Sequence, residues 1–294
     1  MDPTLIELKL NKPGFRRFIG SWLVRGKENF VVDVGPSSSV DQLTDSLGDL
    51  GVDRVDRVLL THIHIDHAGG LAPFLERFPM ARVLCHEKAI PHLVDPSKLS
   101  AGARKTLGSE LTDTYGPIRP VQKESLVPHT EVGLRGVEIV ETPGHAPHHL
   151  CFVANGFLFA GEAGGVHFTV EDSEYLRPAT PPVFFMSEYQ QSIDRLLAYG
   201  TMPICYAHFR LTGNSRAMLQ RQKNQLVLWE GIIREERSRG EEGVKERSLD
   251  ALLTKDPELK AFFALSAEDQ ARERFFIGNC IEGYLGYLSR TPVS

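Results

Sequence analysis

The sequence predicts an α/β protein carrying an added C-terminal helical region. Three observations lead there. Short β-rich runs fill most of the first 60 residues, helical stripes and strands then alternate, and from Ser187 the pattern turns almost wholly helical. With 294 residues and 41% hydrophobic content, the chain can bury one large core, with or without an appendage.

The runs LIELKL, FIGSWLV and NFVVDVG, separated by Pro-Gly and Gly-Lys turn signals, read as strands, and their close succession predicts antiparallel pairing. Val40, Leu43, Leu47 and Leu50 recur at helical spacing, so a helix precedes the strand in RVDRVLLT. Leu71, Phe74, Leu75 and Phe78 form a second helical stripe, closed by Pro79. A strand at ARVLCH, helices between Glu87 and Leu107, and strands from about Ile118 come next. In HHLCFVANGFLFAGE the Asn155-Gly156 pair between two apolar runs marks a hairpin. SEYQQSIDRLLAYG reads as a helix, MPICYAH as a last short strand, and the chain from about Asn214 as helix. The polar stretch RSRGEEGVKERS interrupts it as a solvated helix end and loop. The expected division is 1–212 for the mixed region and 213–294 for the helical region packed on it.

Composition narrows the function classes. A net charge of −5 without a basic tract argues against a nucleic-acid partner, which would call for lysines and arginines gathered on one face. No apolar run approaches membrane-spanning length, and the opening MDPTLIELKLNKPG alternates like a strand and lacks the basic and apolar regions of a signal peptide. Cys85, Cys151, Cys205 and Cys280 stand alone in apolar contexts, which predicts buried free thiols and a reducing cytoplasm.

The chemistry concentrates in RVLLTHIHIDHAGG. His62, His64, Asp66 and His67 crowd into one short segment, and their spacing cannot place all four on one face of a strand or helix. A loop that folds these side chains inward is expected. Neutral imidazole and carboxylate are standard ligands for zinc, iron and manganese, so a metal is the natural occupant.

THIHIDHAGG resembles the HxHxDH signature of the metallo-β-lactamase superfamily, and further motifs arrive in the family's order: ETPGHAPHH with His145, FAGEAGG with Glu162 and CYAHFR with His208. The resemblance implies an αββα sandwich, two sheets back to back with helices outside, and a metal centre at one edge. It implies His62, His64 and His145 as ligands of one metal, Asp66, His67 and His208 as ligands of a second, and position 162 as the bridge. Asp66 and Glu162 would be the catalytic carboxylates. The family usually has Asp where this chain has Glu162, whose carboxylate reaches about 1.5 Å further, so bridging would require a withdrawn backbone. Asp33 matches a buried family Asp that orients an imidazole, and His149 a position that braces the loop.

Substrate-facing candidates are His86, His148, Phe184, Phe185 and Arg210, each with an ordinary packing or surface reading beside it. LRPATPPVFF, with Pro178, Pro181 and Pro182, looks most like the linker of glyoxalase II-like hydrolases. That resemblance implies hydrolysis of an ester, thioester or lactone by a metal-bound hydroxide at a dinuclear site, with two Zn2+ ions and with Fe or Mn as other metals. The substrate would be a small molecule. A mononuclear iron sulfur dioxygenase-like enzyme and a non-catalytic metal-binding protein stand as alternatives. β-Lactamase activity and nuclease activity fit less well, given no export signal and no basic insertion. The C-terminal helices are expected to roof the cleft, to pack on the domain, or to form a homodimer contact.

Overall fold

Alternation and β-branching make strands at the N-terminus of the computed structural model, which describes residues 2–131 and 133–291. Strand β1 (Thr4–Leu8) turns Ile6 and Leu8 inward, and β2 (Ile19–Val24) and β3 (Phe30–Val32) are buried throughout. With β4 (Arg57–Leu59), β5 (Arg82–Cys85) and β6 (Leu126–Pro128) they form one six-stranded sheet in chain order. Pairing is antiparallel from β1 to β3, as expected, and parallel from β3 to β6. The parallel half has room for its crossovers because α1 (Val40–Asp49), α2 (Ile65–Ala68), α3 (Leu71–Arg77), α4 (Ile90–Val94) and α5 (Ser97–Tyr115) lie between its strands.

The second sheet has the order β13-β12-β9-β8-β7, built from β7 (Val137–Glu141), β8 (Leu150–Ala154), β9 (Phe157–Gly161), β12 (Ile204–Tyr206) and β13 (Leu211–Thr212). Its β8–β9 hairpin turns at Asn155 and Gly156, with φ of 52° and 78°, the two positive values that a type I′ turn requires. Strands β10 (Val166–Val170) and β11 (Ser173–Arg177) form a separate antiparallel hairpin. The remaining helices are α6 (Met186–Leu197), α7 (Ser215–Ser238), α8 (Val244–Lys255) and α9 (Ala267–Arg290).

Three apolar layers hold this arrangement together. Trp22, Val32, Leu59 and Leu84 of the first sheet meet Leu150, Phe152, Phe159 and Cys205 of the second. Outside the first sheet lie α1, α3 and part of α5. Outside the second, one continuous core joins Leu158 and Ile204 to Trp229, Leu252 and Tyr284 of the C-terminal helices. The expected αββα order of layers is therefore present, and the helices after Ser215 share their core with the second sheet. All four cysteines are free and buried. No helix among the described residues is long and apolar enough to cross a membrane.

Three local expectations need correction. The histidine segment is not loop throughout, because Ile65–Ala68 closes one helical turn. The helix expected to end at Leu107 continues to Tyr115 across a break at Gly108, whose φ of 77° and ψ of 166° only glycine adopts readily. Strands do not begin at Ile118 but at Leu126, since Pro117 and Pro120 remove ladder donors from that stretch.

Candidate metal centre

Every residue of the centre comes from a segment leaving the same end of the two sheets. Asp33 follows β3, the histidine segment follows β4, Glu162 follows β9, His208 follows β12, and His145 stands between β7 and β8. Open α/β sheets place their sites beyond the carboxyl ends of parallel strands, and β3, β4, β9 and β12 meet that description.

Two groups of converging ligand atoms result. In the first, His64 Nδ1 lies 2.9 Å from both His62 Nε2 and His145 Nε2, which are 3.2 Å from each other. In the second, His67 Nε2 and His208 Nε2 are 3.2 Å apart, and Asp66 Oδ2 is 3.5 Å from His208 Nε2. Glu162 stands between the groups. Its Oε1 is 3.2 Å from His67 Nε2 and 3.3 Å from His208 Nε2, while its Oε2 is 3.5 Å from His62 Nε2. The longer side chain thus reaches both groups.

The opposite ring nitrogens show which atoms are the ligand atoms. His145 Nδ1–H donates to the Ala179 carbonyl at 2.9 Å, and His208 Nδ1–H to the Phe18 carbonyl at 2.8 Å. His67 Nδ1–H donates to Asp33 Oδ2 at 2.8 Å. The Thr61 hydroxyl also donates to Asp33 Oδ2 and so accepts from His62 Nδ1–H at 3.1 Å. Each of these four imidazoles has a proton on the far nitrogen and turns Nε2 to the centre, which leaves Nε2 as the ligand atom of the neutral ring. The Nε2 lone pairs of His62 and His145 and the Nδ1 of His64 lie within 3.2 Å of one another, and both lone pairs cannot be fully satisfied by a single His64 N–H. They can by a cation: nitrogens about 2.05 Å from a tetrahedral zinc stand about 3.3 Å apart. Glu162 Oε2 is buried without a hydrogen-bond partner, the atom a bridging carboxylate would turn to a metal. The residues present fit a metal pair.

Burial holds His62 well below its ordinary pKa and His64 at about 4, so both are neutral and in the ligand form. Burial also acts against charge on His67, but Glu162, Asp66 and Asp33 outweigh it and raise the imidazole. Burial opposes ionisation of Asp66 as well, yet His67 and His208 bring it down to about 2. The second group is therefore an electrostatic trap for positive charge.

Other expected residues divide. Asp33 stands where expected beneath the histidines, and His149 braces the bridge: it accepts from the Glu162 N–H at 3.2 Å and donates to the Thr142 hydroxyl at 2.7 Å. That acceptor role leaves His149 no lone pair for a metal. A cavity of about 460 Å³ opens above the centre, and His148 and Phe185 line it. Phe184 does not; it is buried, its ring centroid 4.8 Å from that of Tyr284. His86 is also away from the cavity, packed on His129 beside Glu141. Arg210 is exposed in the turn from β12 to β13 and bonds the Thr169 hydroxyl, outside the cavity lining. The sequence reading did not single out Leu99, Ala103 and Leu107 of α5, which line the cavity; their i, i+4, i+8 spacing is the available signal.

Comparisons with known proteins give the family. The family model described as Metallo-beta-lactamase superfamily matches residues 15–208. This chain belongs to the metallo-β-lactamase superfamily. It is 30% identical over 191 residues to a metallo-beta-lactamase fold-containing protein of Sulfurisphaera tokodaii, covering 62% of this chain and 69% of that one. The crystal structure of an archaeal superfamily protein from Sulfolobus tokodaii superposes with a TM-score of 0.67 at 21% identity, covering 97% of this chain and 99% of that one. An atrochrysone carboxyl ACP thioesterase of Aspergillus fumigatus is 25% identical over 259 residues, 82% of this chain and 70% of that protein. A hydroxyacylglutathione hydrolase of Aeromonas hydrophila is 28% identical over 142 residues, with 48% of this chain matched to 44% of that enzyme.

Proposed function

We propose that this superfamily member is a metal-dependent hydrolase of an ester, thioester or lactone, in a glyoxalase II-like branch, with zinc as the first-choice metal. The observation that carries the reading is the pair of ligand-atom clusters with Glu162 between them. His62, His64 and His145 would hold one ion, Asp66, His67 and His208 the other, and Glu162 would touch both. The similarity to a thioesterase and to a hydroxyacylglutathione hydrolase supports a carbonyl substrate. Four buried free thiols support a reducing compartment.

When bound, a metal pair polarises a carbonyl and acidifies a water near neutral pH. The chain supplies the rest. Asp33 fixes the His67 tautomer directly and the His62 tautomer through Thr61, and the Ala179 and Phe18 carbonyls do the same for His145 and His208. Asp66 and Glu162 stay ionised at neutral pH, the form in which a carboxylate would hold a metal.

A panel of esters, thioesters and lactones, assayed before and after chelation and zinc restoration, tests the proposal. Turnover that disappears on chelation and returns with zinc is expected. Full metal occupancy with no turnover across the panel, or oxygen consumption by an iron-loaded protein, would overturn it.

A further inference from the structure

The cavity above the centre is built for an apolar occupant. Helix α5 presents Leu99, Ala103 and Leu107 on one face, a wall about 12 Å long. These three residues are half-buried, whereas Leu111 and Tyr115 beyond the Gly108 break are buried in the core. Tyr115 also lines the cavity, so both segments of the helix contribute to its wall, while Leu111 anchors the second in the core. Val183, 60% exposed, Phe185, 39% exposed, and the half-buried Phe276 of α9 add apolar surface to the lining.

Charge inside this groove is already accounted for. Arg177 lines it, but its Nε donates to the buried Glu273 carboxylate. His148 also lines it, and burial lowers its pKa to about 3, so it is neutral. Lys98, exposed at the start of α5, is the one lysine among the lining residues. A cavity of about 460 Å³ falls within the range of small-molecule sites, which are mostly apolar with a few polar groups at the reacting end. Here that end is formed by His64, Asp66, His145 and Glu162. Exposed Val183 and Phe185 beside such a cavity gain by being covered.

We infer that the substrate is an ester or thioester with an extended apolar acyl chain, held against the α5 stripe and the apolar surface of Val183, Phe185 and Phe276. The chain lies along the groove with its carbonyl at the metal-ligand end, and the leaving group points toward Lys98. This inference rests on the hydrolase reading for its reaction and on the groove for its selectivity.

The test uses p-nitrophenyl acetate and p-nitrophenyl octanoate as substrates, and octanoate against acetate as calorimetric ligands of the purified protein before and after chelation. Burial of the additional methylenes predicts kcat/KM at least about tenfold higher for octanoate esters than for acetate esters. Free octanoate should bind where acetate does not, with or without metal. Ala103→Trp, which fills the groove, should collapse the octanoyl-to-acetyl ratio and weaken octanoate binding about tenfold or more. Leu107→Gln, which adds no bulk, should lower both more mildly and guards against misfolding of the tryptophan variant. Equal kcat/KM for both esters, with no octanoate binding, would overturn the acyl groove while leaving the hydrolase reading intact. Octanoate binding that Ala103→Trp blocks, without hydrolysis of any ester, would support the groove and defeat the hydrolase reading. A ratio indifferent to both substitutions overturns the inference.

Discussion

His62, His64, His67, His145 and His208 surround Glu162, and a few residues further along the sheets His86 and His129 flank Glu141; both groups place ligand-type atoms close together. They differ in where the protons sit. Around Glu162 the far nitrogens of four imidazoles donate to Asp33, Thr61, Ala179 and Phe18, so each neutral ring offers Nε2 inward as a ligand atom. At Glu141 the orientation is reversed. His86 Nδ1 accepts the Lys88 N–H at 3.1 Å, which puts the proton on Nε2, the atom facing Glu141 at 3.8 Å. His129 likewise turns Nε2 to Glu141 at 2.9 Å, as a donor. That cluster is a hydrogen bond from the end of β6 to β7 with His86 of the β5 end packed beside it, and proximity without the right tautomer does not make a metal site.

The largest expected effect breaks the Glu162 group directly. His62→Ala with His64→Ala removes two of the three imidazoles from the first cluster, and elemental analysis should find the metal content halved and turnover lost. Removing the tautomer control is next. In Asp33→Asn an amide N–H competes for the place that accepts His67 Nδ1–H and the Thr61 hydroxyl, and metal affinity should fall about 10- to 100-fold in a chelator competition. Unchanged affinity would mean that tautomer control is not what separates the two clusters.

Substitutions at Glu162 sharpen the same point. Glu162→Gln keeps the shape but loses the charge and one acceptor oxygen, so both affinity and turnover should drop; Glu162→Asp shortens the side chain by about 1.5 Å and should retain metal with a shifted balance between the sites. If Glu162→Ala leaves stoichiometry and turnover unaltered, the bridge is wrong. The smallest effect is expected at the Glu141 cluster. His86→Ala removes the acceptor for the Lys88 N–H and should cost about 1 kcal/mol of stability by denaturant titration, with metal stoichiometry unchanged.

The sequence exposed the centre well because its ligands lie in motifs that arrive in family order, and hydrophobic periodicity did the same for the sheets and outer helices. The Asn155-Gly156 turn was legible for a local reason, since two positive φ values leave little choice of residue. What escaped depended on tertiary placement. Helix α5 runs past Gly108 because Leu111 and Tyr115 find a core there, a gain that no local propensity records. Phe184 and Phe185 are neighbours in sequence, yet one enters the core and the other the cavity wall. Arg210 stands two residues from His208, but the turn into β13 leaves it in solvent. The wrong-way tautomer of His86 hangs on a backbone N–H two residues later, which composition alone does not reveal.

The most direct test is anomalous scattering at the zinc edge from crystals grown with excess zinc. Two peaks should appear, one among His62, His64 and His145 and one among Asp66, His67 and His208, each about 2.1 Å from its imidazole nitrogens, with the Glu162 carboxylate between them. A peak beside His86 and His129, a single peak in the centre, or a Glu162 carboxylate turned away from both would contradict the account.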